Sequence, residues 1–180
     1  PIQKFSTVTA ALDSVSSTNE TRKVILVRNG SYDEGNSQII VTKPNVTIIG
    51  EDSEKTLIHC YPGNVGGATK LRCAVYVQSS ATGFVAENLC LQNDWDYQGT
   101  SSAGNGGNES ADVMLNEADK SAFFGVRFLG YQDTLNLNKN KQYFNKCFIA
   151  GNVDFIYGAD GQVLFDDCDI QFRYNANKNS

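Results

Sequence analysis

Histidine is almost absent from this sequence, which holds a single one, His59, among 180 residues. The five cysteines form no Cys-x-x-Cys pair. The chain therefore offers too few of the nitrogen and sulfur ligands that a zinc site needs, and we expect no metal site. Long apolar runs are missing as well. None approaches the roughly 20 residues of a membrane-spanning helix, so we expect no membrane partner.

Positive charge is also scarce, with 15 Lys and Arg against 20 Asp and Glu, a net charge of −5 and a pI near 4.8. A nucleic-acid-binding surface normally carries a basic patch, so we expect no nucleic-acid partner. The same excess charge would repel a strongly anionic ligand and favours a neutral or partly neutralised one. Residues 1–5 show neither the basic nor the apolar stretch of a signal peptide, which indicates either a cytosolic protein or one whose leader has been removed.

The sequence does contain an internal repeat with a step of 21 residues. A Gly-x-x-Asp motif ends at Asp133 and again at Asp154, and the same step relates Phe123 to Phe144 and Phe165. A period of this length is typical of a solenoid, in which each coil packs against its neighbours. Parallel strands would place equivalent side chains about 4.8 Å apart. We therefore expect the two aspartates to lie side by side, as an acid/base or nucleophile pair.

The remaining pattern is one helix followed by many short strands. Apolar residues at helical spacing behind Ser6 and Thr7 predict an amphipathic helix over the first 16 residues, which would cover an end of the solenoid. After about residue 20, short β-branched runs alternate with turns rich in Gly, Pro and Asn. A sandwich or a barrel would also contain many short strands, but the regular step favours a parallel β-helix.

Two cysteines follow the same period, because Cys147 and Cys168 are also 21 residues apart. Stacked coils would bring this disulfide candidate within bonding range, and a disulfide would indicate an oxidising compartment. The alternative is that both are free apolar side chains in the core. Both interpretations stay open.

A long loop is predicted between Asp94 and Ser110, and loops of this length are usually either functional or disordered. Trp95 and Tyr97 at its start offer flat rings that would stack on a sugar at the rim of a cleft. The alternative is that these rings anchor the loop to the body of the protein.

The motifs around the repeated aspartates carry a family resemblance. Residues 130–135, Gly-Tyr-Gln-Asp-Thr-Leu, and residues 151–158, Gly-Asn-Val-Asp-Phe-Ile-Tyr-Gly, resemble the two core signatures of the pectin methylesterase family. Residues 30–34 match the family's early Gly-x-Tyr-x-Glu, and residues 43–50 match its next strand-turn segment. Residues 91–94 look most like the microbial branch. The resemblance spans essentially the whole chain, in family order.

This resemblance implies an all-β fold, a right-handed single-stranded parallel β-helix with a short N-terminal capping helix. It also implies hydrolysis of the methyl esters of polygalacturonate to methanol and pectate. Asp154 would be the nucleophile, Asp133 the general acid and then base, and Gln132 an oxyanion-hole donor. Physical reasoning supports this division, because two adjacent carboxyl groups do not both ionise easily and one keeps its proton.

The resemblance further implies a secreted protein that acts outside the cell or in the cell wall on methyl-esterified pectin. We expect a monomer when the protein is complete, and a proteinaceous inhibitor as a further partner. Candidate substrate-binding residues are Tyr131, Phe155, Tyr157 and Trp95. Aromatic side chains at such positions are also common packing residues, so this alternative stays open.

The sequence departs from the family pattern in two places. Where the family carries Gln-Ala-Val-Ala-Leu, with an oxyanion-donating glutamine, residues 110–115 contain none, and Asp112 adds a negative charge. Asn108 or Asn116 would have to replace the missing amide. The family's later Gly-Arg-Pro-Trp signature is also not reached before Ser180. Residues 1–180 therefore resemble the N-terminal and central part of a catalytic β-helix domain that is incomplete at its C-terminus.

Two other functions remain open at this point. A catalytically impaired β-helix would act as a carbohydrate-binding or structural protein, and a same-fold esterase or thioesterase would act on a non-pectin ester. A Ser-His-Asp hydrolase is not indicated, because His59 has no suitable neighbours in the sequence and reads as a structural residue.

Overall fold

The computed structural model describes residues 2–62, 72–95 and 110–174. These residues form one short helix, α1 (Val8–Asp13), and seventeen strands. The strands are β1 (Lys23–Val27), β2 (Gly30–Asp33), β3 (Ile39–Val41), β4 (Val46–Gly50), β5 (Thr56–Cys60), β6 (Val75–Val77), β7 (Val85–Glu87), β8 (Cys90–Asn93), β9 (Met114–Asn116), β10 (Ser121–Phe124), β11 (Arg127–Leu129), β12 (Leu135–Asn136), β13 (Lys139–Asn145), β14 (Phe148–Gly151), β15 (Ile156–Tyr157), β16 (Asp160–Asp166) and β17 (Asp169–Phe172).

The strands form three parallel sheets that wrap around a common core. Sheet A has the order β1-β4-β7-β10-β13-β16, sheet B the order β17-β14-β11-β8-β5-β2, and sheet C the order β15-β12-β9-β6-β3. The chain visits the three sheets in turn and then begins the next coil. This is the predicted right-handed parallel β-helix.

The predicted step of 21 residues is confirmed in the later coils. Phe123 pairs with Phe144 and Phe144 with Phe165 in the register of sheet A. Their rings stack inside the coil, with centroids 4.5 Å apart in the first pair and 5.0 Å apart in the second. The earlier coils are longer, with steps of 23, 38 and 37 residues between paired positions of sheet A. Stacked identical rings give the core a ladder in which each coil buries the apolar face of its neighbour.

The helix is shorter than the apolar spacing predicts. Thr7 caps it, since its hydroxyl accepts a hydrogen bond from the Ala10 N–H at 3.2 Å. The Glu34 carboxylate accepts from the Val8 N–H at 2.7 Å and so pins the same end to the first coil. Beyond Asp13 the chain is rich in Ser and Thr, whose hydroxyls bond to nearby backbone and compete with the helix. The helix packs on β1 and β3, as expected of a terminal cap.

Cys147 and Cys168 lie on adjacent coils, as their spacing predicts, but the structure does not contain the candidate disulfide. Cys147 and Cys168 lie in equivalent positions between the paired strands of sheets A and B. Both are free thiols. Each Sγ instead approaches a carbonyl oxygen of the preceding coil, Phe123 O at 3.4 Å for Cys147 and Phe144 O at 3.5 Å for Cys168. The two cysteines therefore act as core side chains here.

In the part of the chain that the structure describes, no helix is long and apolar enough to cross a membrane.

Candidate active site

The two repeated aspartates lie in the turns that lead from sheet B to sheet C. The Asp133 N–H donates to the Val153 carbonyl at 3.0 Å, and the register that pairs β12 with β15 makes Asp133 equivalent to Asp154 on the next coil. Both residues adopt the left-handed conformation, with φ of 64° and 48°. Aspartate tolerates this conformation better than most residues. The structure therefore brings together the pair that the repeat predicts.

The close stacking of these two turns explains the glycines of the two motifs. A Cβ on Gly130 would lie 2.6 Å from the Thr134 hydroxyl, and a Cβ on Gly151 would lie 2.5 Å from the same oxygen and 2.3 Å from the Phe155 Cβ. The hydroxyl is fixed there because it donates to the Ala150 carbonyl at 3.2 Å. Only glycine leaves room for one turn to stack on the next.

Asp133 is buried and paired with a cation that the sequence analysis did not identify. Only 7% of Asp133 is exposed. Arg72, which lies shortly before β6, donates from Nη2 to the Asp133 Oδ2 at 2.7 Å. No motif surrounds this arginine, and its partner is 61 residues away. The one signal available was chemical: two acidic residues near a predicted active site need a counter-charge.

Arg72 also neutralises the charge of Asp112, which belongs to the first departure from the family pattern. Its Nε donates to the Asp112 Oδ2 at 2.8 Å, and its Nη1 donates to the Ser110 hydroxyl at 2.7 Å. The Tyr157 hydroxyl donates to the other Asp112 oxygen at 2.7 Å. Asp112 is completely buried, yet its carboxylate has a cation and a hydroxyl as partners. The extra negative charge expected at Asp112 is therefore compensated.

The electrostatics of this cluster favour a proton on Asp133. Burial raises the pKa of Asp133 to about 6, against the opposing effect of Arg72, and the nearby charges of Asp112 and Asp154 add to the rise. Burial also raises the pKa of Asp112, while hydrogen bonds from Tyr157 and Arg72 lower it. One guanidinium serves two carboxylates, so the cluster carries one surplus negative charge. Protonation of Asp133 removes that charge.

Asp154 and Gln132 sit in more open surroundings. Asp154 is exposed to solvent. Gln132 is half-buried, and its main-chain carbonyl accepts a hydrogen bond from the Ala111 N–H at 3.3 Å. Asn116 does not supply the missing amide, because its Nδ2 points into the core and donates to Ser121 Oγ and Gln142 Oε1. Asn108 lies outside the described residues.

A cleft of about 640 Å³ runs beside these turns, along the outer face of sheet B. Two of the four predicted substrate-binding residues, Trp95 and Tyr131, line it. The Arg173 guanidinium lies 3.9 Å from the centre of the Tyr131 ring and donates to the Tyr131 hydroxyl at 3.0 Å. These contacts hold the ring at the cleft wall. Tyr97 lies outside the described residues.

The other two predicted substrate-binding residues do not line this cleft. Phe155 packs against the hydrophobic core. The Tyr157 hydroxyl donates to Asp112 and accepts hydrogen bonds from Arg72 at 3.1 Å and from Asn136 at 2.8 Å. The structure therefore gives Phe155 a packing role and Tyr157 a role in the Arg72 cluster, because both side chains are already engaged inside the protein.

Comparison with known proteins identifies the scaffold. The sequence profile of the Pectinesterase family matches residues 2–180. The chain belongs to the pectinesterase family. Among solved pectin methylesterases, the one from Yersinia enterocolitica superposes with a TM-score of 0.85 at 31% identity, over 97% of this chain and 57% of that one. A pectin methylesterase with an aspartate replaced by alanine, in complex with a hexasaccharide, superposes equally well over 99% of this chain and 54% of that one, at 28% identity.

Curated pectinesterases match over nearly the same range. The pectinesterase of Daucus carota is 32% identical over 169 residues, which cover 94% of this chain and 49% of that protein. The pectinesterase/pectinesterase inhibitor 3 of Arabidopsis thaliana is 34% identical over 169 residues, which cover 94% of this chain and 26% of that protein. The chain thus spans between a quarter and a half of the length of these two relatives.

Proposed function

We propose that the protein containing this chain is a pectin methylesterase, which hydrolyses methyl esters of polygalacturonate to methanol and pectate. The observation that carries this proposal is the pair Asp133 and Asp154, stacked on adjacent coils of a pectinesterase scaffold, with one carboxyl buried and the other exposed. Two neighbouring carboxyl groups in unlike environments divide the acid and nucleophile roles between them.

In the first half of the reaction, the ionised Asp154 attacks the carbonyl carbon of the ester. Gln132 donates hydrogen bonds to the oxyanion that forms. The bond from that carbon to the methoxyl oxygen then breaks, and Asp133 gives its proton to the departing methanol. The product of this half is an anhydride between Asp154 and the galacturonate carboxyl group.

In the second half, the ionised Asp133 takes a proton from water, and the resulting hydroxide equivalent attacks the anhydride carbonyl. The bond to Asp154 breaks, which restores its carboxylate and leaves a free galacturonic acid unit. Asp133 ends with the proton that it held at the start. A pKa of about 6 suits a group that has to act as acid and then as base near neutral pH.

Arg72 acts in this proposal as a positioning residue. It fixes one Asp133 oxygen at 2.7 Å and offsets the charge of Asp112 on the other side of the guanidinium. The carboxyl group of Asp133 is thereby held in one orientation while it exchanges a proton with the substrate. This arrangement requires no cofactor.

The acidic character of the chain is consistent with a methyl-esterified substrate. A net charge of −5 repels free polygalacturonate, whereas methyl esterification removes the negative charge of the substrate. We propose that methyl-esterified pectin is the partner in the cleft of Trp95 and Tyr131, that the protein acts outside the cell or in the cell wall as a monomer, and that a proteinaceous inhibitor regulates it.

Methanol release from highly methylated pectin tests this function. We expect release that is proportional to the amount of protein and absent with fully de-esterified pectin. Binding of pectin without any methanol would contradict the proposal and favour the carbohydrate-binding alternative. Hydrolysis of simple neutral esters or thioesters, with methylated pectin left intact, would favour the same-fold esterase instead.

A further inference from the structure

A second chain of hydrogen-bonded polar side chains lies along sheet B, and two of its members, Gln92 and Asp94, line the cleft beside the aspartate turns. The Ser31 hydroxyl and the His59 Nε2 are 2.9 Å apart, and the His59 Nδ1 and the Asp94 Oδ2 are 2.5 Å apart. Gln92 holds the other Asp94 oxygen by donating from Nε2 at 2.6 Å. Serine, histidine and aspartate in this order form the constellation that activates a nucleophilic hydroxyl on several unrelated folds.

The hydrogen bonds fix the tautomer of His59. A carboxylate can only accept, so Nδ1 carries the proton that is donated to Asp94. In the neutral ring Nε2 is then the acceptor, and the Ser31 hydroxyl is the donor. This direction is the one that a general base needs in order to take a proton from serine.

The three residues come from successive coils of sheet B. Ser31 lies on β2 and His59 on β5, while Asp94 follows the last residue of β8. Ser31 is exposed, whereas only 16% of the His59 side chain and 29% of the Asp94 side chain are accessible. The hydroxyl therefore faces solvent, while the groups behind it are partly covered. Motif spacing does not reveal this arrangement, because Ser31 and His59 are 28 residues apart and His59 and Asp94 are 35 residues apart.

Donors for an oxyanion are available beside the hydroxyl. The Gly30 N–H donates to the Lys55 carbonyl just before β5, and the Glu34 N–H donates to the His59 carbonyl in β5. Successive amides of a strand point to opposite edges. The N–H groups of Ser31 and Asp33 therefore point to the other edge of β2, which is the end of sheet B among the described residues. A carbonyl that contacts the Ser31 hydroxyl can place its oxygen at this edge.

We propose that Ser31, His59 and Asp94 form a second nucleophilic site, which takes neutral carboxylic esters. Ser31 Oγ attacks the ester carbonyl and passes its proton to His59 Nε2. The bond to the alcohol oxygen breaks, the alcohol leaves with that proton, and an acyl-serine remains. Water then attacks the acyl-serine with His59 as base, which releases the carboxylic acid and restores the serine.

The charges around the site select against anionic esters. Asp33 lies directly opposite His59 in the register of β2 and β5, and Asp94 lies on the other side of the ring. These two carboxylates stabilise the positive charge that His59 gains during the reaction. They would also repel a negatively charged ester, which leaves neutral esters as the substrate class.

Acetylation by p-nitrophenyl acetate tests the site in the intact protein. We expect release of nitrophenolate and transfer of one acetyl group to the protein. Peptide mass spectrometry should locate this acetyl group on Ser31. Ser31→Ala should abolish this acetylation, and His59→Gln should slow it by at least about 100-fold. Ser80→Ala is the matched control, because Ser80 is also exposed but its hydroxyl donates to the Thr42 carbonyl at 2.7 Å.

Acetylation of Ser31 should persist in Asp154→Asn, and this variant therefore separates the Ser31 site from the aspartate site. Thermal unfolding of each variant shows whether it is folded. Equal acetylation of Ser31 and Ser80, or an unchanged rate in folded His59→Gln, would overturn the proposal and leave the three residues as a surface hydrogen-bond ladder.

Discussion

At the scale of single residues, the site combines positions that sequence can reveal with one that it cannot. Asp133 and Asp154 stand out because a repeat marks both of them, and the register confirms that they are equivalent. Arg72 has no such mark, since it contacts Asp112 across 40 residues and Asp133 across 61. Side-chain pairing over such distances depends on how the coils stack, which motif spacing does not encode.

The role of Arg72 predicts a change in pH dependence. The positive charge of Arg72 lowers the pKa of Asp133, which burial raises to about 6. Its removal in Arg72→Gln should therefore raise that pKa further. In the proposed mechanism Asp133 is protonated when the substrate binds, so the alkaline limb of kcat/KM on methylated pectin should move to higher pH.

The charge-conserving variant Arg72→Lys serves as the control for this experiment. Lysine keeps the positive charge but loses the fork that contacts several partners at once, so the rate should fall while the limb moves less than in Arg72→Gln. A limb that stays in place, or moves to lower pH, in a folded Arg72→Gln protein would contradict the assigned role of Asp133 as the acid.

At the scale of the element, the aspartate site lies in turns that stack closely on one another, and the strands follow from the repeat. The strand pattern and the ladder of Phe123, Phe144 and Phe165 could be predicted, because a constant step places like residues together. The length of α1 could not be predicted from apolar spacing. Its N-terminal end is set by the Thr7 cap and by Glu34, which follows β2, and its C-terminal end is set by the serines that follow Asp13.

Crowding between the turns predicts a large cost for a single methyl group. In Gly151→Ala the new Cβ would lie 2.3 Å from the Phe155 Cβ and 2.7 Å from the Tyr131 carbonyl oxygen. We expect the free energy of unfolding to fall by about 3 kcal/mol or more, as in overpacked cores, with loss of activity as Asp154 shifts. Urea unfolding measures the change.

Gly125→Ala is the matched control, because it isolates backbone strain from crowding. Gly125 has a φ of 59° but no atom within 4 Å of an added Cβ. Only the left-handed conformation is penalised there, at roughly 1 to 2 kcal/mol. Equal losses of stability in the two variants would show that contact between the stacked turns is not what requires Gly151.

At the scale of the whole molecule, a β-helix turns a sequence repeat into a row of equivalent positions. Along the outer face of sheet B this row places Ser31, His59 and Asp94 at one end and the cleft of Trp95 and Tyr131 beside it. The sequence predicted the scaffold and the aspartate pair, because both follow from periodicity. It missed the contacts of Arg72 and His59, because their partners lie 28 residues or more away and follow no fixed step.

The central claim is that Asp154 is the nucleophile of a pectin methylesterase, and methanol release by Asp154→Asn tests it most directly. The control is Asp167→Asn, since Asp167 is also exposed and left-handed, with a φ of 53°, but lies in the turn between sheets A and B. Asp154→Asn should reduce kcat by at least about 1000-fold, as loss of a nucleophile does, while Asp167→Asn stays close to the unmodified protein. A folded Asp154→Asn variant that keeps most of its activity would contradict the account.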